Sequence, residues 1–154
     1  METQVALEPL GFGGQEYVPR PDQVPIVLDA ARTTSGWSLR LRFRARLEGP
    51  CVRCLDEAGI TVTVDAREVD QPGGGDEMAS PYVERVELDL RGWARDALAL
   101  SMPFQVVCDD DCPGLCAVCG ANLKHAGEDH GHPAEPDPRW ADLDVLRARL
   151  QQRR

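Results

Sequence analysis

The sequence has few aromatic residues and no long apolar stretch. Aromatic side chains make up 5 % of the 154 residues, and no window approaches the roughly 18 consecutive apolar residues of a membrane-spanning helix. Near the start, Glu2, Glu8 and Pro9 interrupt the apolar run that a secretory signal needs. We therefore expect a cytoplasmic protein without membrane association, in a reducing compartment where structural disulfides are rare.

An excess of positive charge is also missing. The chain has 26 acidic and 17 basic residues, and its formal net charge is −9. This balance argues against adhesion of the whole surface to nucleic acid, but it leaves room for a local basic patch. The sequence contains no glycine-rich phosphate loop, no Gly-x-Ser-x-Gly elbow and no His-Glu-x-x-His helix. We therefore predict a protein that is not an enzyme and has no small-molecule substrate.

Several segments have the patterns of β-strands. Residues 1–22 are turn-rich and are interpreted as an extended lead-in. Residues 24–31 are apolar enough for a strand, and residues 37–47 alternate between apolar and mostly basic side chains, which predicts a half-buried strand hairpinned to the first. Residues 60–66 alternate as well, and residues 82–90 resume strand character.

Two helices are predicted after the strands. Asp89 can cap the first, whose apolar positions between Leu90 and Leu98 follow the helical period. The second covers residues 137–151, with Asp137 as its cap and Pro138 in its first turn. Its apolar residues fall roughly on one side, at Trp140, Leu143, Leu146 and Leu150.

The cysteines are concentrated, with four of the six in CDDDCPGLCAVCG at residues 108–120. Two pairs have the Cys-x-x-Cys spacing that folds a backbone knuckle around one zinc ion. Gly120, directly after the second pair, allows a tight turn past the metal. With two histidines that follow, the chain offers eight candidate ligands for one or two structural zinc ions: Cys51, Cys54, Cys108, Cys112, Cys116, Cys119, His130 and His132.

Two other uses of the cysteines stay open. Three disulfides would use all six thiols, but they require an oxidising compartment. A redox Cys-x-x-Cys lies between the strand and helix of a parallel βαβ unit, a pattern that this sequence lacks. Zinc is the favoured interpretation. Eight ligands for two ions suggest closed structural sites, because catalytic zinc keeps a position open.

The eight ligands can be divided in two ways. Loop-closure entropy favours a site that combines the second knuckle with the histidines next in sequence, since only a short loop is then ordered. This arrangement gives one site from Cys116, Cys119, His130 and His132, and another from Cys51, Cys54, Cys108 and Cys112. The rival arrangement is a two-knuckle site from Cys51, Cys54, Cys116 and Cys119.

The predicted architecture is a single domain, 1–154, of the α+β class. Strands precede the helices without strand–helix alternation, which predicts an antiparallel sheet with a helix packed on it. The expected parts are the lead-in (1–22), the sheet and helix (24–103), a Cys/His metal-binding module (108–132) and the C-terminal helix (137–151).

The polar face of the strand at residues 37–47 carries a ladder of arginines. Side chains two residues apart on a strand point the same way and lie about 6.6 Å apart. Guanidinium groups bind phosphate well because their fork donates two hydrogen bonds at once. Alternatively, acidic side chains of a neighbouring strand, such as Glu87 and Asp89, neutralise the ladder. The candidate RNA contacts are Arg40, Arg42, Arg44 and Arg46, with Arg53 beyond the turn.

Three sequence features together resemble the YceD family of large ribosomal RNA subunit accumulation proteins. They are CVRCL after the arginine-rich strand, a helix ending in LALSMPF, and the segment CDDDCPGLCAVCGANL. The resemblance runs from about Val24 to Trp140, and DCPGLCAVCGANL is its most specific part. Many members close with Cys-x-Cys where this chain has His130-Gly131-His132, which keeps two zinc-competent ligands. Other members lack the late cysteine block, which implies that the metal is a structural aid.

The resemblance implies a bacterial cytoplasmic factor that supports accumulation of 23S ribosomal RNA and biogenesis of the large ribosomal subunit. Its partner would be a pre-50S particle, contacted through ribosomal RNA or a ribosomal protein. Two alternatives stay open from the residues themselves. One is a zinc-ribbon module that binds protein, for example in transcription, and the other is a thiol redox protein.

The sequence leads to a prediction of metal content. The purified protein is expected to contain up to two zinc ions, because eight ligands with two knuckle spacings can fill two tetrahedral sites. Elemental analysis and mass spectrometry under native and denaturing conditions measure this directly. Less than half an equivalent of zinc, together with disulfides by mass, would contradict it and favour the redox alternative.

Overall fold

The computed structural model describes residues 1–85, 87–133 and 141–151. Within these ranges the protein is mostly antiparallel β-sheet with few helices. The strands are β1 (Glu2–Ala6), β2 (Leu10–Phe12), β3 (Gln15–Arg20), β4 (Gln23–Arg32), β5 (Trp37–Pro50), β6 (Glu57–Asp70), β7 (Val83–Glu84) and β8 (Glu87–Leu88). The helices are α1 (Leu90–Leu100) and α2 (Ala141–Gln151), and a 3₁₀ turn covers Asp76–Met78.

The central element is β5, a strand of 14 residues. Strand β6 pairs with it along its whole length, from Trp37 opposite Asp70 to Pro50 opposite Glu57. On its other edge β5 pairs with β4 through residues 37–43 and with β3 at its far end. Strand β1 extends the sheet beyond β4, and β2 extends it beyond β3. The predicted hairpin of β4 and β5 and the antiparallel sheet are thereby confirmed.

The alternation along β5 separates an apolar face from a charged face. The apolar side chains at alternate positions from 39 to 47 are all buried, as the alternation predicted, and Leu41 and Leu47 have no accessible surface. Helix α1 joins the same hydrophobic cluster through buried side chains such as Trp93 and Leu98. The carboxylate of Asp89 caps this helix as predicted, by accepting a hydrogen bond of 2.9 Å from the backbone amide of Gly92.

Residues 1–22 are not the lead-in that the sequence suggested, because they form three strands of the main sheet. Tyr17 on β3 is fully buried, and its hydroxyl donates a hydrogen bond of 3.0 Å to the carbonyl of Pro50. Gly49 lies against its ring, and a Cβ there would be 2.5 Å from Cδ1 of Tyr17. Strands β1 and β3 pair with β4 and β5, which follow later in the chain, so the segment itself shows no clear pattern.

Two further segments differ from the sequence-based expectation or lie partly outside the described residues. The described residues between 82 and 90 contribute no strand to the main sheet, because β7 and β8 form a separate two-stranded sheet. The C-terminal helix is present as α2, while Asp137, Pro138 and Trp140 of its predicted first part lie outside the described residues. Among the described residues, neither helix is long and apolar enough to cross a membrane.

The burial of Tyr17 leads to a stability prediction. Changing Tyr17 to Ala is expected to lower the free energy of unfolding by about 3–5 kcal/mol, the usual cost of truncating a buried aromatic side chain. Tyr17→Phe should cost only about 1 kcal/mol, because it removes one hydrogen bond and keeps the ring. Denaturant unfolding measures both. A negligible effect of Tyr17→Ala would support the lead-in interpretation instead.

Candidate metal centres and arginine face

The turn between β5 and β6 forms the first knuckle, over residues 51–56. The amide of Cys51 donates to the carbonyl of Asp56 at 2.7 Å, and the amide of Leu55 donates to the carbonyl of Cys51 at 3.0 Å. Because this turn closes the long β5–β6 hairpin, the sheet holds Cys51 and Cys54 in place at its end.

The second knuckle repeats these hydrogen bonds at residues 116–121. The amide of Cys116 donates to the carbonyl of Ala121, and the amide of Gly120 donates to the carbonyl of Cys116, both at 2.8 Å. The residue after each Cys-x-x-Cys pair has a positive φ, 72° at Gly120 and 64° at Leu55. Glycine adopts this conformation at no steric cost, whereas leucine is strained in it. Both spacings therefore form knuckles, although the first lacks the expected glycine.

The first group of candidate ligands consists of Cys51, Cys54, Cys108 and Cys112. Their four sulfur atoms all lie within 4.8 Å of one another. The Sγ atoms of Cys51 and Cys112 are 3.9 Å apart, and those of Cys54 and Cys108 are 3.6 Å apart. Three of the four side chains are buried, and Cys108 is half-buried. The group joins the β5–β6 turn to the segment that follows α1.

The second group consists of Cys116, Cys119, His130 and His132, whose ligand atoms also lie within 4.8 Å of one another. The Sγ of Cys119 is 3.7 Å from Nε2 of His130 and 3.3 Å from Nε2 of His132. The two imidazole rings meet edge to face with centroids 4.9 Å apart. This group is more exposed than the first, since none of its members is fully buried.

The two groups match the arrangement that loop closure favoured, and the rival two-knuckle group is not formed. One group offers four sulfur donors, and the other offers two sulfur and two nitrogen donors. Both donor sets suit a tetrahedral zinc ion. The structure thus contains two Cys/His clusters that could hold metal ions, and metal binding by them stays a prediction.

The thiols of the two groups differ in acidity. Burial raises the pKa of Cys51, but backbone hydrogen bonds from its own turn and from the 108 segment outweigh it and lower the pKa to about 6. A hydrogen bond with His130 and nearby backbone amides lower the pKa of Cys116 to about 6 as well. Burial raises the pKa of Cys54 and of Cys112. Each group therefore favours at least one thiolate at neutral pH, and a metal ion would displace the remaining protons.

Acidic side chains of the neighbouring strands neutralise part of the arginine ladder. Arg40 donates two hydrogen bonds to the carboxylate of Asp65 on β6, at 2.8 and 2.6 Å. Arg42 donates to Asp29 on β4 at 2.7 Å. Arg46 pairs at 3.0 Å with Glu48 of its own strand.

The sequence suggested Glu87 and Asp89 for this neutralisation, and that prediction is wrong. Asp89 caps α1, and Glu87 belongs to the separate β7–β8 hairpin. The partners of Arg40 and Arg42 come from strands β6 and β4, which flank β5 directly, so strand order decided these two pairs.

Three further arginines near the ladder differ in their surroundings. Arg44 and Arg67 are exposed on β5 and β6 and form no ion pair with any described residue. Arg53 does not extend the ladder. Its guanidinium donates to the carbonyls of Asp110 at 3.0 Å and Cys112 at 3.4 Å, and it thereby holds the loop between two candidate ligands.

The sequence did not indicate a polar network beside the first group. The carboxylate of Asp56 accepts hydrogen bonds from the Asn122 amide at 2.9 Å and from Nε2 of His125 at 3.1 Å, and Lys124 lies 3.7 Å away. Burial raises the pKa of Asp56, but these hydrogen bonds outweigh it and leave the pKa below its usual value. The sequence did contain one signal for this network, since Lys124 is the only lysine among the 17 basic residues.

The described residues define an antiparallel-sheet protein with two groups of candidate metal ligands, one at the end of the β5–β6 hairpin and one in the loop at residues 116–132. The model of the family described as large ribosomal RNA subunit accumulation protein YceD matches residues 39–147. This match covers most of the chain, so the chain belongs to the YceD family. The resemblance stated from the sequence is confirmed.

Curated relatives come from bacteria and plants. An uncharacterized protein of Mycobacterium tuberculosis is 36 % identical over 104 residues, which cover 62 % of this chain and 48 % of the relative. The chain thus spans about half the length of the mycobacterial relatives it matches. A chloroplastic protein of Arabidopsis thaliana, named large ribosomal RNA subunit accumulation protein YCED homolog 1, is 36 % identical over 67 residues, 44 % of this chain and 21 % of its own. No solved structure matches the chain significantly.

The conformation of the second knuckle leads to a matched prediction on two glycines. Gly120→Ala is expected to lower the free energy of unfolding by about 1 kcal/mol, because a Cβ at positive φ is strained. Gly127→Ala adds the same methyl group in the same loop, in open space and without a positive φ, and should be neutral or slightly stabilising. Denaturant unfolding of both variants measures the difference. Equal effects would contradict the strained-turn interpretation.

Proposed function

We propose that this protein is a non-enzymatic cytoplasmic factor that supports accumulation of 23S ribosomal RNA and, through it, biogenesis of the large ribosomal subunit. The observation that carries the proposal is the family match over residues 39–147. The plant relatives support it, because their name states accumulation of the large ribosomal RNA subunit. The partner would be a pre-50S particle, contacted through ribosomal RNA or a ribosomal protein.

We further propose that each Cys/His group binds one structural zinc ion. Four protein ligands to each ion would close both sites, which suits a structural role. Zinc would add folding free energy to a chain that is rich in loops and poor in aromatic side chains. In the first group it would tie the β5–β6 turn to the segment after α1, and in the second it would close the loop at residues 116–132.

The outer face of β5 and β6 is the surface that we propose for RNA. Arg44 and Arg67 are exposed there without an ion pair among the described residues. Arg40, Arg42 and Arg46 have carboxylate partners, but all three pairs are solvent-accessible. Exposed ion pairs contribute little free energy, so a phosphate group can compete for these guanidinium groups. Because the whole chain is acidic, binding would be confined to this face.

The proposal predicts a defect from the double change Arg44→Gln and Arg67→Gln. In cells that lack the protein, mature 23S RNA is expected to fall, and the unaltered protein should restore it. The double variant should restore less and should sediment less with pre-50S particles. In binding to single-stranded RNA, the loss of two phosphate contacts should reduce the salt slope of log affinity by about 1.4.

The matched control is the double change Arg91→Gln and Arg95→Gln. It removes the same charge from α1, which covers the opposite, apolar face of the sheet. This control should bind RNA and restore 23S RNA like the unaltered protein. Equal losses in both double variants would indicate a nonspecific effect of charge. No loss in the first would move the contact to another surface, and unchanged 23S RNA without the protein would contradict the proposed function.

A further inference from the structure

Lys124 lies against a sulfur atom of the first group. Its Nζ is 3.3 Å from the Sγ of Cys108 and 3.7 Å from the carboxylate of Asp56, and its side chain is 35 % exposed. The other 16 basic residues of the chain are arginines. Lysine presents a compact charge with three donors on a flexible stem, whereas arginine presents a wide planar fork. The compact head suits a direct contact with one sulfur atom.

The position of Lys124 is held by Asn122. The side-chain amide of Asn122 donates to the carbonyl of Cys54 at 3.2 Å and to Asp56 at 2.9 Å. Its side-chain oxygen accepts a hydrogen bond of 3.0 Å from the backbone amide of Lys124. A β-bridge also pairs Asn122 with Leu115, just before the second knuckle. The chain that leaves the second knuckle therefore reaches back onto the first group.

A charge imbalance gives this contact its physical role. Four thiolates around a divalent ion carry a net charge of −2, and an uncompensated charge is costly in a mostly buried site. The guanidinium of Arg53 is close but donates to backbone carbonyls of the 110–112 loop. Among the side chains of the described residues, Lys124 is the cation in hydrogen-bond contact with a sulfur of this group.

We propose that Lys124 is a positioning residue of the first metal group. Its ammonium group compensates part of the charge of the metal–thiolate complex and orients Cys108, the most exposed of the four ligands. Asn122 holds the backbone of Lys124 in place, and the side chain reaches Cys108 from there. The inference rests on the metal binding proposed above, and it assigns to residues just after the second knuckle a role in the affinity of the first group.

Cobalt titration of the full chain tests this role. Thiolate-to-cobalt charge-transfer absorption increases with the number of sulfur ligands, so the four-sulfur group and the two-sulfur, two-nitrogen group have distinguishable spectra. Lys124→Met keeps the length of the side chain and removes its charge. In competition with a chelator, it is expected to weaken cobalt binding at the four-sulfur group by about 10-fold or more, the usual effect of losing a partner of a metal ligand. The second group should be unchanged, and Lys124→Arg, which keeps the charge but not the compact head, should restore part of the affinity.

The matched control is His125→Gln. His125 is the next residue and also contacts Asp56, but it touches no sulfur atom of the group. The cobalt affinity of the four-sulfur group in His125→Gln should stay within about twofold of that in the unaltered protein. The role of Lys124 is overturned if Lys124→Met binds cobalt as tightly as the unaltered protein, or if His125→Gln loses as much. Absence of a four-sulfur spectrum in the unaltered protein overturns the proposed metal binding itself, and with it this role.

Discussion

The hydrogen-bonded ladder between β5 and β6 is the interaction on which the rest of the structure depends. It runs through 14 residue pairs, and its alternation places apolar side chains on one face and arginines on the other. The other edge of β5 pairs with β4 and β3, so this one strand pairs directly with three others. Its closing turn is the first knuckle. Core, charged face and candidate metal group are therefore positioned by the same pair of strands.

The two faces of the sheet have different chemistry because, among the described residues, a helix packs on only one of them. Helix α1 and the apolar side chains of β5 and β6 form the core on one side. On the other side the arginines stay in water, where carboxylates of β4 and β6 partner some of them. A chain with a formal charge of −9 thus keeps a local cluster of guanidinium groups. This face is the surface proposed above for contact with a phosphate backbone.

The cysteine-rich segment after α1 is bound to the sheet by more than its thiols. Arg53 holds the loop that carries Cys112, and Asn122 fastens the chain after the second knuckle to the first knuckle. These contacts bring four thiols from distant parts of the chain together.

The sequence by itself determined the features that are local. The alternation of β5, the cap at Asp89 and the spacing of Cys116 and Cys119 involve neighbours along the chain, so their patterns are visible in the amino-acid order. The division of the candidate ligands into two groups could also be predicted, because it follows from the length of the connecting loop. The family resemblance rested on the same contiguous motifs.

Only the tertiary structure decided the features that depend on distant residues. Strand β1 pairs with β4 and β3 pairs with β5, and the hydroxyl of Tyr17 bonds to Pro50, which is 33 residues later. The partners of the arginines, Asp29 and Asp65, were set by the strand order. Lys124 meets Cys108 only because the second knuckle folds back onto the first. Each of these contacts joins residues that are far apart in the sequence. It therefore forms, and stabilises the protein, only when the chain is folded.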